Sequence, residues 1–254
     1  MKLFYKQYGT SGKPLFILHG IFGMLDNWHN IAKQLAKNGY TVYTIDARNH
    51  GQSPHSAEMS YQLMAEDVIA LANDLGYETF TLMGHSMGGK TAMWTAHQFG
   101  NRIEKLILVD IAPVLYKAGH LTYFEAFENI PWHTLTTRKQ IDESLMQYEK
   151  EMGVRLFLAK NIDRNDAGSF SVKCNIVDIK KAYLEIIDKL QFSNVYEGET
   201  CFILGEKSHY LKVEDKPYIL QYFPKAKFET ISNAGHWVHA ENPCEFLEKL
   251  NIFL

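Results

Sequence analysis

Short apolar runs of strand length alternate with longer segments of helical periodicity, and that order folds as βαβ units around a mostly parallel sheet. Leu15-Phe16-Ile17-Leu18-His19, Thr41-Val42-Tyr43-Thr44-Ile45-Asp46, Thr79-Phe80-Thr81-Leu82-Met83 and Leu106-Ile107-Leu108-Val109-Asp110 read as buried strands. Helical patterns fill the intervals, around Asn27 to Lys37, Ser60 to Leu75 and Met87 to Phe99. Met1 to Lys6 holds no extended apolar stretch, so it reads as a first strand and not as a signal peptide.

The rhythm breaks from about Pro113 to Tyr196, where the pattern is helical throughout and no buried strand stands out. Alternation returns with Thr200-Cys201-Phe202-Ile203-Leu204, a helix near Asp215 to Tyr222, a strand at Lys227 to Ile231 and a final helix from Pro243. The expected architecture is therefore α/β: a core of residues 1–112 and 197–254, with a helical cap of residues 113–196 inserted between two late strands. Such a cap would lie over the carboxyl ends of the strands, where open α/β sheets bind their ligands. A chain of 254 residues is long enough for one core of this kind.

Composition removes several functional classes. A formal charge of -3 leaves no electrostatic footprint for nucleic acid, and no apolar run reaches membrane-spanning length. Cys174, Cys201 and Cys244 are an odd, widely spaced set without a CxxC pair, so buried reduced thiols are expected. His236-Trp237-Val238-His239 with Glu241 superficially offers metal ligands, but no HExxH accompanies it. Neither phosphate-loop nor dinucleotide glycine spacing occurs, although Gly88-Gly89-Lys90-Thr91 resembles the end of the former. The expectation is a cytoplasmic domain, monomer or homodimer, acting on a small molecule without metal or cofactor.

Gly84-His85-Ser86-Met87-Gly88 is the most specific local signal, because it falls between a strand and a helix. A sharp turn there strains the serine backbone and lifts its hydroxyl above the sheet, while small residues on either side let the chains pass closely. The Met87 N–H, at the helix N-terminus, then faces a developing oxyanion. His19-Gly20-Ile21-Phe22-Gly23 follows another strand, and its glycines let the Ile21 amide face the same point. His19 itself is expected to be structural. Near the C-terminus, Asn233-Ala234-Gly235-His236-Trp237 places a histidine on a loop after a strand, suited to act as general base for Ser86. His239 lacks the loop glycine, and His85 lies too close to Ser86 in sequence to bond its hydroxyl easily. His50 and His55 sit on a different loop.

Together these segments resemble the α/β-hydrolase superfamily along essentially the whole chain. Asp46-Ala47-Arg48-Asn49-His50-Gly51-Gln52-Ser53 is similar to a structural segment of that superfamily. With Leu25-Asp26-Asn27-Trp28 and Asp110-Ile111-Ala112-Pro113, the match is closer to the YbfF-like subgroup of small carboxylesterases and acyl-CoA thioesterases. The resemblance implies a serine esterase that hydrolyses carboxylic esters or acyl thioesters through a Ser-His-Asp acyl-enzyme. C–C bond hydrolases and lyases of the same fold, and a non-catalytic receptor built on it, stay open as alternatives.

The acid is less plainly marked. The commonest pattern of the superfamily is G-x-x-D after the strand before the last; here Gly205-Glu206-Lys207-Ser208 puts a serine at the acid's position. Glu206, Asp215 and Asp110 are the candidates, and Asp110, at a strand's carboxyl end, is preferred. The subgroup resemblance implies that Ser208 adds a hydrogen bond to the histidine or to the acid.

The insert is rich in large apolar side chains, most of which are expected to pack it onto the sheet. Phe124 and Phe157 from it, with Phe22 and Trp237 beside the motifs, are expected to line an acyl pocket. Lys117, Arg138, Lys139, Lys150, Arg155, Lys160 and Arg164 read mainly as a solvated face, with a phosphorylated leaving group such as coenzyme A as the alternative partner. Lys90 is expected to point into solvent or a surface ion pair.

Overall fold

A computed structural model of the chain describes residues 1–164 and 168–254. Seven strands form one sheet in the order β1-β3-β2-β4-β5-β8-β9: β1 (Tyr5–Tyr8), β2 (Lys13–Leu18), β3 (Tyr40–Ile45), β4 (Phe80–His85), β5 (Ile103–Val109), β8 (Glu199–Gly205) and β9 (Ala226–Ile231). β1 runs antiparallel to β3 at one edge, and every other neighbouring pair is parallel. The helices between them are α1 (His29–Lys37), α2 (Tyr61–Asp74), α3 (Met87–Phe99), α8 (Lys216–Tyr222), α9 (Val238–Glu241) and α10 (Pro243–Phe253).

The five inner strands bury both faces over most of their length, as parallel strands with helices on either side must, while the edge strands β1 and β9 stay partly exposed. Phe16, Phe80, Leu82, Leu106, Leu108 and Phe202 point one way, into a core shared with Met64 and Val68 of α2 and Met93 of α3. Alternate residues Leu15, Ile17, Met83, Ile107, Val109 and Ile203 point the other way, against Ile31 and Leu35 of α1 and Phe246 and Leu250 of α10. Trp28 belongs to this second core, where it stacks on His239 at 3.9 Å between ring centroids. Cys174 and Cys201 are buried thiols; Cys244, expected inside, is exposed in the first turn of α10, whose apolar stripe runs through Phe246, Leu250 and Phe253 instead.

Between β5 and β8 the chain leaves the sheet through α4 (Leu121–Asn129), α5 (Arg138–Leu145), α6 (Met152–Ala159) and α7 (Ile176–Ile187). The stretch is not helical throughout. A short antiparallel pair, β6 (Ile162–Arg164) and β7 (Phe170–Val172), lies between α6 and α7. Ile162 and Phe170 are its buried members, too few to mark a strand by periodicity. Residues 165–167 of this insert lie outside the described residues.

Register brings the strand ends to one level. Leu18 of β2 pairs with Gly84 of β4, His85 with Val109 of β5, and Val109 with Ile203 of β8. Gly205 of β8 in turn pairs with Ile231 of β9. The loops that follow β2, β4, β5, β8 and β9 therefore open on the same edge of the sheet, and these loops carry the motifs.

Candidate active site

Ser86 sits on the turn between β4 and α3 with φ 54° and ψ -120°, a conformation that ordinarily excludes side chains other than glycine's. Its N–H donates to Val109 O at 3.1 Å, and its carbonyl accepts the Gly89 and Lys90 amides, so both sides of the turn are tied down. The flanking glycines are sterically required: a Cβ on Gly84 would lie 2.1 Å from Gly88 O, and one on Gly88 would lie 2.5 Å from His19 O.

Asp110, wholly buried at the carboxyl end of β5, also has positive φ, 48°. Its Oδ1 accepts the Gly205 N–H at 3.0 Å; its Oδ2 accepts Ser208 Oγ at 2.5 Å and lies 2.7 Å from His236 Nδ1. The other two carboxylates are engaged elsewhere. Glu206 accepts the Asn233 N–H at 2.7 Å, and Asp215 accepts the Lys212 N–H at 2.8 Å.

Three further groups hold His236, and nothing in the local sequence announces them. Tyr210 stacks on its ring at 3.8 Å between centroids and 14° between planes. The carbonyl of His236 accepts His85 Nε2–H at 2.8 Å, which gives His85 a structural duty. Glu241, at the end of α9, accepts the Gly235 N–H at 2.8 Å and the Trp237 N–H at 3.1 Å, on either side of the histidine. Burial pushes the imidazole well below its ordinary value; charge on His120 would add to this, and Glu241 opposes it. The ring is thus neutral, with Nδ1–H donating to Asp110 and Nε2 left to accept a proton. Burial pushes Asp110 upward, against the stabilisation its carboxylate receives from Ser208 Oγ and the Gly205 N–H.

Ser86 and His236 line one cavity of about 610 Å³. Among the described residues no hydrogen bond joins them, and none engages the N–H groups of Ile21 or Met87, whose residues line the same cavity. Apo sites often leave these contacts long until substrate binds. Phe22, Phe157 and Trp237 line the cavity, and the last two rings meet at 5.5 Å. Phe124 does not. It is fully buried behind Phe22, 5.0 Å from that ring and 5.1 Å from Tyr183, so it packs the insert onto the core.

Among the described residues Lys117 is the one Lys or Arg of the insert that lines the cavity, and Lys212 lines it from outside the insert. Arg155 pairs with Asp142 at 2.7 Å, Arg138 donates to Ile162 O at 2.8 Å, Arg164 to Gly168 O at 3.0 Å and Lys150 to Met146 O at 2.8 Å. Lys139 faces Glu143 one turn on. Lys90 departs from expectation altogether: it is 1% exposed, because the insert returns over the outer face of α3 and covers it. His19 is structural as expected, with its ring nitrogens bonded to Gly20 O and the Ala47 N–H.

Comparison with known proteins identifies the family to which this fold belongs. Residues 13–243 match the alpha/beta hydrolase fold family. The chain is 38% identical over 248 residues to the sn-1-specific diacylglycerol lipase ABHD11 of Danio rerio, covering 95% of this chain and 78% of that protein. It is 32% identical over 245 residues to esterase YbfF of Escherichia coli (strain K12), covering 96% and 94%. Among solved structures, a marine microorganism esterase superposes with a TM-score of 0.97 at 40% identity, covering 100% of this chain and 99% of that one. The protein belongs to the alpha/beta hydrolase fold family, as a hydrolase of the esterase and lipase type.

Proposed function

We propose that the protein is a serine esterase whose nucleophile is Ser86, with His236 as general base and Asp110 as the acid that orients it. The observation that carries this reading is the convergence of Ser86, a neutral His236 bonded to Asp110, and the unengaged Ile21 and Met87 amides on one cavity. Ser86 Oγ attacks the acyl carbonyl while His236 Nε2 takes its proton. The Ile21 and Met87 N–H groups receive the oxyanion, and the imidazolium returns the proton to the departing alcohol or thiol. Water, deprotonated by the same imidazole, then hydrolyses the acyl-enzyme. Ser208 donates to Asp110 Oδ2, which favours the carboxylate against the opposing effect of burial and fixes its position. Residues 113–196 act as a cap on the core formed by 1–112 and 197–254, and Phe22, Phe157 and Trp237 form the apolar wall against the acyl group.

Carboxylic esters are the primary substrate class. The names of the relatives support this: a diacylglycerol lipase and an esterase both act on carboxylic esters. Acyl thioesters fit the same chemistry as a second substrate. Turnover of p-nitrophenyl esters from acetate to palmitate and of acetyl- and palmitoyl-CoA, by wild type, Ser86→Ala and His236→Ala, tests the reading. Wild-type turnover lost in both variants is expected. Wild type inert towards every ester and thioester would instead favour C–C hydrolysis, lyase chemistry or ligand reception on the same site.

A further inference from the structure

Lys90 lies one turn along α3 from Ser86, and the proposed mechanism gives it no part. Its ammonium donates to Val114 O at 2.9 Å and Asp188 O at 2.5 Å, with Ile186 O at 3.5 Å, and lies 4.8 Å from the centre of the Tyr116 ring. Val114 is where the chain leaves the core for the insert, and Ile186 to Asp188 is where it returns. These two neck segments also bond each other, Tyr116 N–H to Ile187 O at 2.9 Å and Leu190 N–H to Pro113 O at 3.2 Å. Tyr61 of α2 adds a 2.7 Å bond to the same Ile186 carbonyl.

A buried ammonium is costly unless its donors are satisfied. Here the carbonyls of both neck segments satisfy them, and no carboxylate oxygen lies in ion-pair contact among the described residues. Val114, Tyr116, Ile186, Ile187 and Lys90 itself all line the cavity that holds Ser86. The neck is thus the cavity's inner wall as well as the hinge of the insert.

We propose that Lys90 sets acyl specificity by latching both neck segments to α3, which fixes the depth of the pocket beyond Ser86. The proposal rests on the esterase reading for its substrate but not for its mechanics. Removal of the Lys90 amino group, whose N–H donors serve the neck whether charged or neutral, leaves neck carbonyls unsatisfied, the wall relaxes, and discrimination between acyl lengths weakens.

The latch also has a pH signature. The groups facing it are Asp188 on the returning neck, Tyr116 on the outgoing one and Tyr61 on α2; burial pushes both phenols above their usual range, so they stay neutral. Burial lowers the Lys90 ammonium to about 7, with the charge of Asp188 opposing. An ammonium released into water titrates at its ordinary 10.5, so opening of the neck takes up a proton between these values. Acid therefore favours the open neck over that window, and the effect levels off below it.

Two measurements on the whole protein test the latch. The first is kcat and KM across a p-nitrophenyl ester series for wild type, Lys90→Met and Lys90→Arg. Lys90→Met is expected to shift the ratio of kcat/KM for the best and worst chain lengths by roughly tenfold, mainly through KM. Partial restoration is expected in Lys90→Arg. The second is amide exchange of residues 113–120 and 185–190, corrected for intrinsic rates. Opening in wild type should grow as pH falls from 10.5 to about 7, and this pH dependence should vanish in Lys90→Met. An unchanged length profile with pH-independent neck opening in wild type overturns the proposal. The exchange arm needs no turnover, so it separates failure of the latch from failure of the esterase reading, and its wild-type series stands even where Lys90→Met does not fold.

Discussion

Asp110 Oδ2 receives two groups at once, His236 Nδ1 at 2.7 Å and Ser208 Oγ at 2.5 Å. The acid therefore comes from the end of β5, while the loop after β8 contributes a hydroxyl to the same oxygen. Asp110→Asn should lower kcat for an activated ester by about 10⁴-fold, because the amide no longer fixes the tautomer or stabilises the imidazolium. Ser208→Ala removes one hydrogen bond to a charged group and should cost about tenfold. Since positions 110 and 208 meet at one point, Ser208→Asp in the Asp110→Asn background should recover part of the loss. No recovery, with the fold intact by circular dichroism, would show that the β8 loop cannot carry the acid here.

The backbone at Ser86 is held in a region that suits glycine, and a residue kept there costs about 1–3 kcal/mol. Ser86→Gly should accordingly raise the melting temperature by a few degrees, about 2–4 °C per kcal/mol for a chain of this size, while abolishing ester turnover. Ser86→Ala should abolish turnover without that gain, because alanine keeps the Cβ. Equal melting temperatures for the two variants would mean that the turn stores no strain.

Covalent labelling isolates the nucleophile from the question of substrate. A fluorophosphonate should phosphonylate wild type at Ser86, label Ser86→Ala not at all and react with His236→Ala slowly, since the base is missing. Peptide mapping by mass spectrometry locates the adduct. Adduct on any other serine would remove Ser86 from the nucleophile's role.

What could be read before folding was set by how local each signal is. Strand ends show as apolar runs because both faces of the sheet are buried, and Gly84 to Gly88 carries its steric requirement in five consecutive residues. Asp110 stands out as the acid only because position 208 holds a serine, and the meeting of 110 with 208 is a product of strand register. Lys90 reads as a solvent-facing lysine, and the structure buries it. One side of α3 is solvent or interior depending on where the insert returns, and that depends on contacts between residues 90, 114 and 188. Phe124 and Phe157 are both aromatic residues on insert helices, but only Phe157 turns towards Ser86. Tyr210 is invisible for the same reason, since its stacking on His236 joins two loops.

Glu241 supplies the last prediction. Its carboxylate accepts the N–H groups of Gly235 and Trp237, so the two residues flanking His236 hang from one side chain. Glu241→Ala frees both amides and should lower kcat by about ten- to a hundredfold, as two hydrogen bonds to a charged acceptor are lost and the imidazole drifts from its line to Ser86. Glu241→Gln keeps one acceptor oxygen and should fall between wild type and alanine. The charge adds a second readout: the carboxylate raises the proton affinity of His236, so its removal should displace the acid limb of kcat/KM to lower pH in both variants. A merely structural brace would lower activity without moving that limb. A displaced limb in Glu241→Gln, with most of its turnover kept, would separate the electrostatic influence of Glu241 from its positioning of the loop.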